Sequence, residues 1–236
     1  MIKDVLLNRR QVKKEVFELL DQYEPAELTQ KLTVFPQTHV INSLFMALCD
    51  VRERVKWHAV SCFGEIVSTM ADNNVESARI IMRRFLWTLN DESGGIGWGA
   101  PEAMAEVMCR SEVLRKEYIH MLISYTQEDG EELFQDGNYL ELPLIQRGLL
   151  WGIGTLCYAF PAEMRKRGLD VGLKNYLKSD DWHVQMLALW SLVGLGVTYT
   201  SDFVKPFLED NKSLTLFIDG DFREVKVSEI CKQLVS

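Results

Sequence analysis

The chain has 236 residues, 47% of them hydrophobic, which is enough for a sizeable core and too apolar for a disordered or fibrous protein. With 26 Lys and Arg against 34 Asp and Glu, its net charge of −8 disfavours non-specific binding to nucleic acid or an anionic membrane through overall charge. The five cysteines, at 49, 62, 109, 157 and 231, include no CxxC pair, and four lie in apolar helical patterns, so buried free thiols in a reducing compartment are expected.

Helical period dominates up to about residue 210. Ile2, Val5, Leu6, Val12, Val16, Leu19, Leu20 and Tyr23 mark one amphipathic helix, which Pro25 is expected to end. Its first twenty residues intersperse charges through the opening turns and lack the apolar stretch of a signal peptide, which predicts a cytoplasmic protein. Thr38 reads as the cap of a helix reaching Cys49, followed by a second helix from Arg52 to Thr69. Further helices are expected over residues 75–90, 100–110, 112–125, 142–158, 162–177, 182–196 and 202–209. The longest low-charge stretch, 184–197, is shorter than the roughly 20 residues needed to span a bilayer, so no membrane partner is expected.

The tail differs. Residues 214–218 and 222–227 are β-type runs around Asp219-Gly220, a strong hairpin signal, and Ser228 reads as the cap of a short helix carrying Ile230, Leu234 and Val235. Residues 1–212 would then form the helical domain. Residues 213–236 would fold back as a cap over the exposed end of the stack, or present a free strand edge to a partner.

Four helical segments align without gaps: VKWHAVSCFG from Val55, GAPEAMAEVM from Gly99, IQRGLLWGIG from Ile145 and VQMLALWSLV from Val184. Their fifth positions are Ala59, Ala103, Leu149 and Ala188, and their ninth are Phe63, Val107, Ile153 and Leu192. A spacing of roughly 40 to 45 residues is that of stacked two-helix units, each burying its apolar face against its neighbours. The segment DVRERVKWHAVSCFGEI, with its leading Asp50, Val-Arg and Val-Lys steps, central Ala and closing Gly64, resembles the second helix of a HEAT repeat. The resemblance implies an all-α, right-handed α-α superhelix of HEAT or armadillo type, of the kind also found in bilin lyases, here carrying a small C-terminal β-hairpin and short helix.

The least helix-like stretch is 90–102, where Gly94, Gly95, Gly97 and Gly99 surround Trp98 and lead into Pro101 and Glu102. A tight loop delivered to a helix start presents free N–H groups to an anion, yet no GK[ST] or βαβ context supports a nucleotide site. Downstream, Arg147, Gly148, Trp151, Gly152 and Gly154 share one helix, whose glycines permit close packing against a neighbour. If the second helices line one groove, Trp57, Gly95, Gly97, Trp98, Gly99, Glu102, Arg147, Trp151 and His183 form the expected partner site, since Trp and Arg are typical anchors of interfaces.

The same residues bear a second resemblance, to the HEAT-like alkylpurine DNA glycosylases, in which groove tryptophans, a carboxylate and an arginine hold a damaged base. It implies corresponding roles for Trp98, Glu102, Arg147 and Trp182, with Arg79, Arg83 and Arg84 near phosphates, although Glu102 stands where that family uses Asp. Net charge argues against nucleic acid as the partner. The histidines at 39, 58, 120 and 183 form no HxxxH or HExxH pattern, and no GxSxG occurs, so neither a metal nor a catalytic residue is assigned. The expected function is a non-enzymatic scaffold that needs no cofactor and holds another protein on the concave face. A glycosylase-like enzyme and a small-molecule or chromophore carrier are the alternatives.

Overall fold

The computed structural model describes residues 8–90, 97–128, 138–208 and 212–235. The helices come in the order α1 (Arg9–Gln22), α2 (Pro25–Leu32), α3 (Gln37–Ala47), α4 (Glu53–Asn73), α5 (Val75–Leu89), α6 (Ala100–Arg110), α7 (Glu112–Ser124), α8 (Pro143–Ala159), α9 (Pro161–Arg165), α10 (Leu169–Asn175), α11 (Trp182–Gly194) and α12 (Ser201–Leu208). Strands β1 (Ser213–Ile218) and β2 (Asp221–Lys226) and helix α13 (Val227–Leu234) complete them. No helix among the described residues is long and apolar enough to cross a membrane.

Local signals explain most boundaries. Asn8 and Gln11 bond each other's backbone N–H groups in a capping box at the start of α1, and residues 2–6 of the expected helix lie outside the described residues. The Asn74 side chain accepts from the N–H groups of Glu76 and Ser77, capping α5. Replacing it by alanine is expected to cost about 1 kcal/mol in urea unfolding, and an unchanged midpoint would show that the cap contributes nothing.

Several boundaries differ from the sequence reading. Pro25 does not merely end α1; it opens α2, where a proline lacks only an N–H that has no partner anyway. Pro36, not Thr38, stands at the start of α3. The single helix expected over 162–177 is broken into α9 and α10 by Gly168, whose φ of 69° no continuous helix tolerates, and a 3-10 turn (Tyr176–Lys178) follows. Lys226 rather than Ser228 precedes α13.

The aligned segments fall in α4, α6, α8 and α11, which pack side by side in chain order. Helices α3, α5, α7 and α10 pair with them on the outside, giving four stacked helical hairpins, and α1 and α2 cover the first. All eight matched positions, Ala59, Ala103, Leu149, Ala188, Phe63, Val107, Ile153 and Leu192, are fully buried. That is what a repeat must do when its apolar face has only its neighbours to bury against. Phe63, Phe85 and Phe45 fill the first interface, with ring centroids 4.8 to 4.9 Å apart. Cys62, Cys157 and Cys231 are buried as expected, whereas Cys109 is half-buried and Cys49 exposed. Burial pushes the thiols of Cys62, Cys109 and Cys157 up to about 12, so none of these three is a thiolate at neutral pH.

The hairpin turns at Asp219 and Gly220, both at positive φ, and pairs Leu214 with Val225 and Phe217 with Phe222. It does not sit at the end of the stack. Helix α13 packs on α11 and α12, while the hairpin reaches Trp57 of α4 and Trp151 of α8 through Phe217, and its Gly220 lies beside Pro25 of α2. Phe217 stacks on Trp57 at 5.2 Å, and its carbonyl accepts the Trp151 indole N–H at 3.1 Å.

Candidate functional site

Among the described residues, two cavities flank the hairpin on the inner face. One, of about 590 Å³, lies at the N-terminal ends of α4, α6, α8 and α11. The other, of about 1000 Å³, lies toward their C-terminal ends, between Glu65, Glu106, Arg110, Trp190, Asp219 and Arg223. In the larger one, burial raises the Glu106 carboxyl above the usual carboxylate range despite the opposing pull of Arg110.

The smaller cavity collects most of the residues singled out above. Trp57, Trp98, Gly99, Glu102, Arg147, Trp151 and His183 all line it. Gly97 does not; it is buried against Thr88 and Leu89, where a Cβ would lie 2.8 Å from the Leu89 side chain. Gly95 lies outside the described residues.

Gly99 shapes the entry to α6. Its φ of 72° is left-handed, and its carbonyl accepts the first helical bond from Ala103. Pro101 and Glu102 follow in the first turn, and Glu102 is only 2% exposed. A buried carboxylate there gains from the positive end of the helix and needs a cation. Lys56 supplies it, with its Nζ 3.1 Å from Glu102 Oε1. Burial pulls the Lys56 ammonium down, but the Glu102 and Glu53 carboxylates outweigh it and hold the ammonium above its ordinary range. Glu102 Oε2 has no hydrogen-bond partner. Gly148 of α8 makes room for this carboxylate, since a Cβ on it would fall 2.5 Å from Oε2.

The other glycines of α8 are packing positions too: Gly152 faces Pro101 and Ala105, and Gly154 faces Trp190. Arg147 turns to the next repeat, its Nη2 2.5 Å from Asp181 Oδ2 and its Nε 3.2 Å from both carboxylate oxygens. Asp181 in turn caps α11 by accepting from the N–H groups of His183 and Val184. Burial and the Arg147 charge both lower the pKa of His183, leaving the imidazole neutral at pH 7. Trp151 is 4% exposed and anchors the hairpin, while Trp98 is half-buried at the cavity wall.

The sequence reading missed Lys56, Glu53 and the hairpin residues Leu214, Thr215, Leu216 and Phe222, all of which line the cavity. For Lys56 the signal was its place in the Val-Lys step, one residue before Trp57 on the segment that the repeat alignment turns inward. Nothing local marks the hairpin residues, because their seat lies across the chain.

The arginines matched to a phosphate-binding role are already engaged. Arg79 holds Glu117 at 2.5 Å, Arg83 holds Glu76 at 2.6 Å, and Arg84 donates to Asn42 at 2.7 Å with its guanidinium 3.8 Å over the Phe45 ring. Trp182 meets His183 edge-on at 4.8 Å and does not line the cavity.

No family model matches the sequence, and no curated protein matches it. Solved structures do resemble the fold. An engineered protein from a structural genomics consortium shares 14% identity over 99% of this chain and 92% of its own, at a TM-score of 0.57. A designed armadillo repeat protein shares 13% identity over 99% of this chain and 94% of its own, at a TM-score of 0.54. Another designed armadillo repeat protein, solved in complex with the peptide (KR)4, shares 15% identity over 94% of this chain and 89% of its own, at a TM-score of 0.51. Together with the four stacked hairpins, these likenesses place the chain in the class of armadillo- and HEAT-like helical repeat folds.

Proposed function

We propose that the protein is a non-enzymatic scaffold that holds a segment of another protein on the face formed by α4, α6, α8 and α11. The observation that carries this reading is the convergence of Trp57, Glu102, Arg147 and His183, from four successive inner helices, and of Trp98, from the turn before α6, on one cavity of about 590 Å³. Stacked repeats place recognition on the face that their successive helices share, and this cavity is a part of that face which the hairpin leaves open. A structural neighbour bound to a peptide supports the reading by analogy of fold. Engagement of Arg79, Arg83 and Arg84 by protein groups takes away the best local contact for a nucleic-acid backbone.

A quantitative pull-down from source lysate, with and without nuclease, tests the proposal. Wild type is expected to retain a nuclease-resistant protein that a folded Trp98→Ala variant loses by about tenfold or more, as the removal of an aromatic interface anchor implies. Full retention by the folded variant removes this face as the site. Nuclease-sensitive recovery puts the base-modifying enzyme ahead of the scaffold.

A further inference from the structure

We infer that the larger cavity, toward the C-terminal ends of the inner helices, binds a small flat aromatic molecule that carries one amine. The site is distinct from the cavity over Glu102, and nothing in the argument depends on the partner held there.

The walls decide the size of the ligand. Each inner helix lines the space with one residue of the same row, Ser61 of α4, Glu106 of α6, Thr155 of α8 and Trp190 of α11, and the hairpin, α2 and α13 supply the rest. Helix α2 packs on α4 at one end of that row, and α13 packs on α11 at the other. A chain laid along the repeats would be stopped at both ends. A compact molecule would not, and about 1000 Å³ suits one, since small-molecule pockets run from about 300 to 1000 Å³.

The α8 and α11 side asks for a flat ring. Tyr158 and Trp190 line it with ring centroids 5.1 Å apart and 31° between their planes. Tyr158 is 45% exposed, and Ile218, Val225 and Ile230 add aliphatic surface around the same space. An aromatic ring left open at the wall of a cavity is surface that another ring covers by stacking.

The α4 and α6 side asks for a cation. The Glu106 side chain keeps 13% exposure and lines the cavity, so its carboxylate is within reach of a ligand. Arg110 Nη1 bonds its Oε2, and among the described residues no other cation meets it. That guanidinium is shared, because its Nε also lies 3.6 Å from Glu65 Oε2. Arg223 is taken by Asp219 at 3.2 Å. Three carboxylates, Glu65, Glu106 and Asp219, thus face two guanidiniums around the cavity, an excess of one negative charge. Burial, with the Asp219 charge, raises the Glu106 carboxyl against the pull of Arg110, as expected of a buried acid short of positive charge. One ammonium makes up the deficit, and the neighbouring aromatic faces favour it further.

Fluorescence titration of the full chain at neutral pH provides the test, with three probes that share one ring system: aminomethylanthracene, hydroxymethylanthracene and anthracene carboxylate. The amine is expected to bind wild type, and to bind Glu106→Gln at least about fivefold more weakly, because the amide loses the charge-assisted hydrogen bond. The carboxylate is expected to bind wild type at least about tenfold more weakly than the amine. Tyr158→Ala, at an exposed ring, is expected to weaken the amine by at least about threefold. Equal affinity of the amine for wild type and folded Glu106→Gln overturns the inference. So does equal binding of the alcohol and the amine, which leaves only apolar contact, and so does failure of the amine to bind. An unchanged affinity in Tyr158→Ala overturns the aromatic seat.

If Glu106→Gln unfolds, Glu65→Gln at the exposed wall carries the charge expectation, with a loss of at least about twofold, and an unchanged affinity there overturns it. The scaffold reading survives any of these failures, since its own test reads the other cavity.

Discussion

Gly154→Ala is expected to lower the stability of the folded chain by about 2 kcal/mol, because it overpacks the interface between α8 and α11. The added Cβ would lie 2.4 Å from two atoms of the Trp190 ring and 2.9 Å from the Ser191 hydroxyl. Neither neighbour is free to yield. The Trp190 ring packs against Tyr158 at 5.1 Å, and the Ser191 hydroxyl bonds the Leu187 carbonyl at 2.8 Å and the Leu150 carbonyl at 3.1 Å. Relief therefore requires the two inner helices to separate, which breaks packing along the repeat stack. Gly172→Ala is the matched control. It lies within α10, and a Cβ there meets nothing within 4 Å, so the same substitution is expected to stabilise by about 0.5–1 kcal/mol. Urea unfolding of both variants checks the contrast. Midpoints that move in the same direction would show that helix propensity, not the α8–α11 contact, governs glycine substitution here.

Lys56→Met is expected to cost about 3 kcal/mol at pH 7, since it leaves the Glu102 carboxylate buried without its cation. The pH dependence separates this from lost packing. The folded pKa of Lys56 is raised above its unfolded value, so the pair's contribution is fully present below about pH 10.4 and is lost as pH rises through the folded value. The stability curves of wild type and Lys56→Met should therefore run apart at neutral pH and converge in the alkaline limb. Curves that stay parallel up to alkaline denaturation would mean that the methylene stem of Lys56, rather than its charge, is what matters. Glu102→Leu combined with Lys56→Met should recover much of the loss, because replacing a buried pair by apolar groups removes the desolvation cost of both charges.

The repeat architecture is legible in the chain because it is a local property repeated. Each inner helix must bury one stripe, so Ala59, Ala103, Leu149 and Ala188 recur at matched places, and all four are buried. The hairpin is equally local, since Asp219 and Gly220 supply the two positive φ angles its turn requires. Helix breaks were harder to place. Pro25 suits a helix start as well as an end, and Gly168 breaks a run whose apolar period continues on either side.

Which residues face one another was decided by the tertiary structure alone. Glu102 reads as an ordinary first-turn acid of α6; only the stacking of α4 and α8 on either side gives it Lys56 as partner and Gly148 as space. Arg147 reads as a free groove cation, and the next repeat turns it into the ion pair that holds Asp181 on α11. The position of the hairpin is the largest such decision, because the seat of Phe217 is built from Trp57 and Trp151, far away in sequence. The sequence by itself determined the periodic, short-range features: the helices, their buried stripes, the repeat and the turn, each set by steric and hydrophobic preferences within a few residues. Only the tertiary structure decided pairing, burial of charge and the two cavities that flank the hairpin among the described residues, because those depend on side chains that the fold brings together from separate repeats.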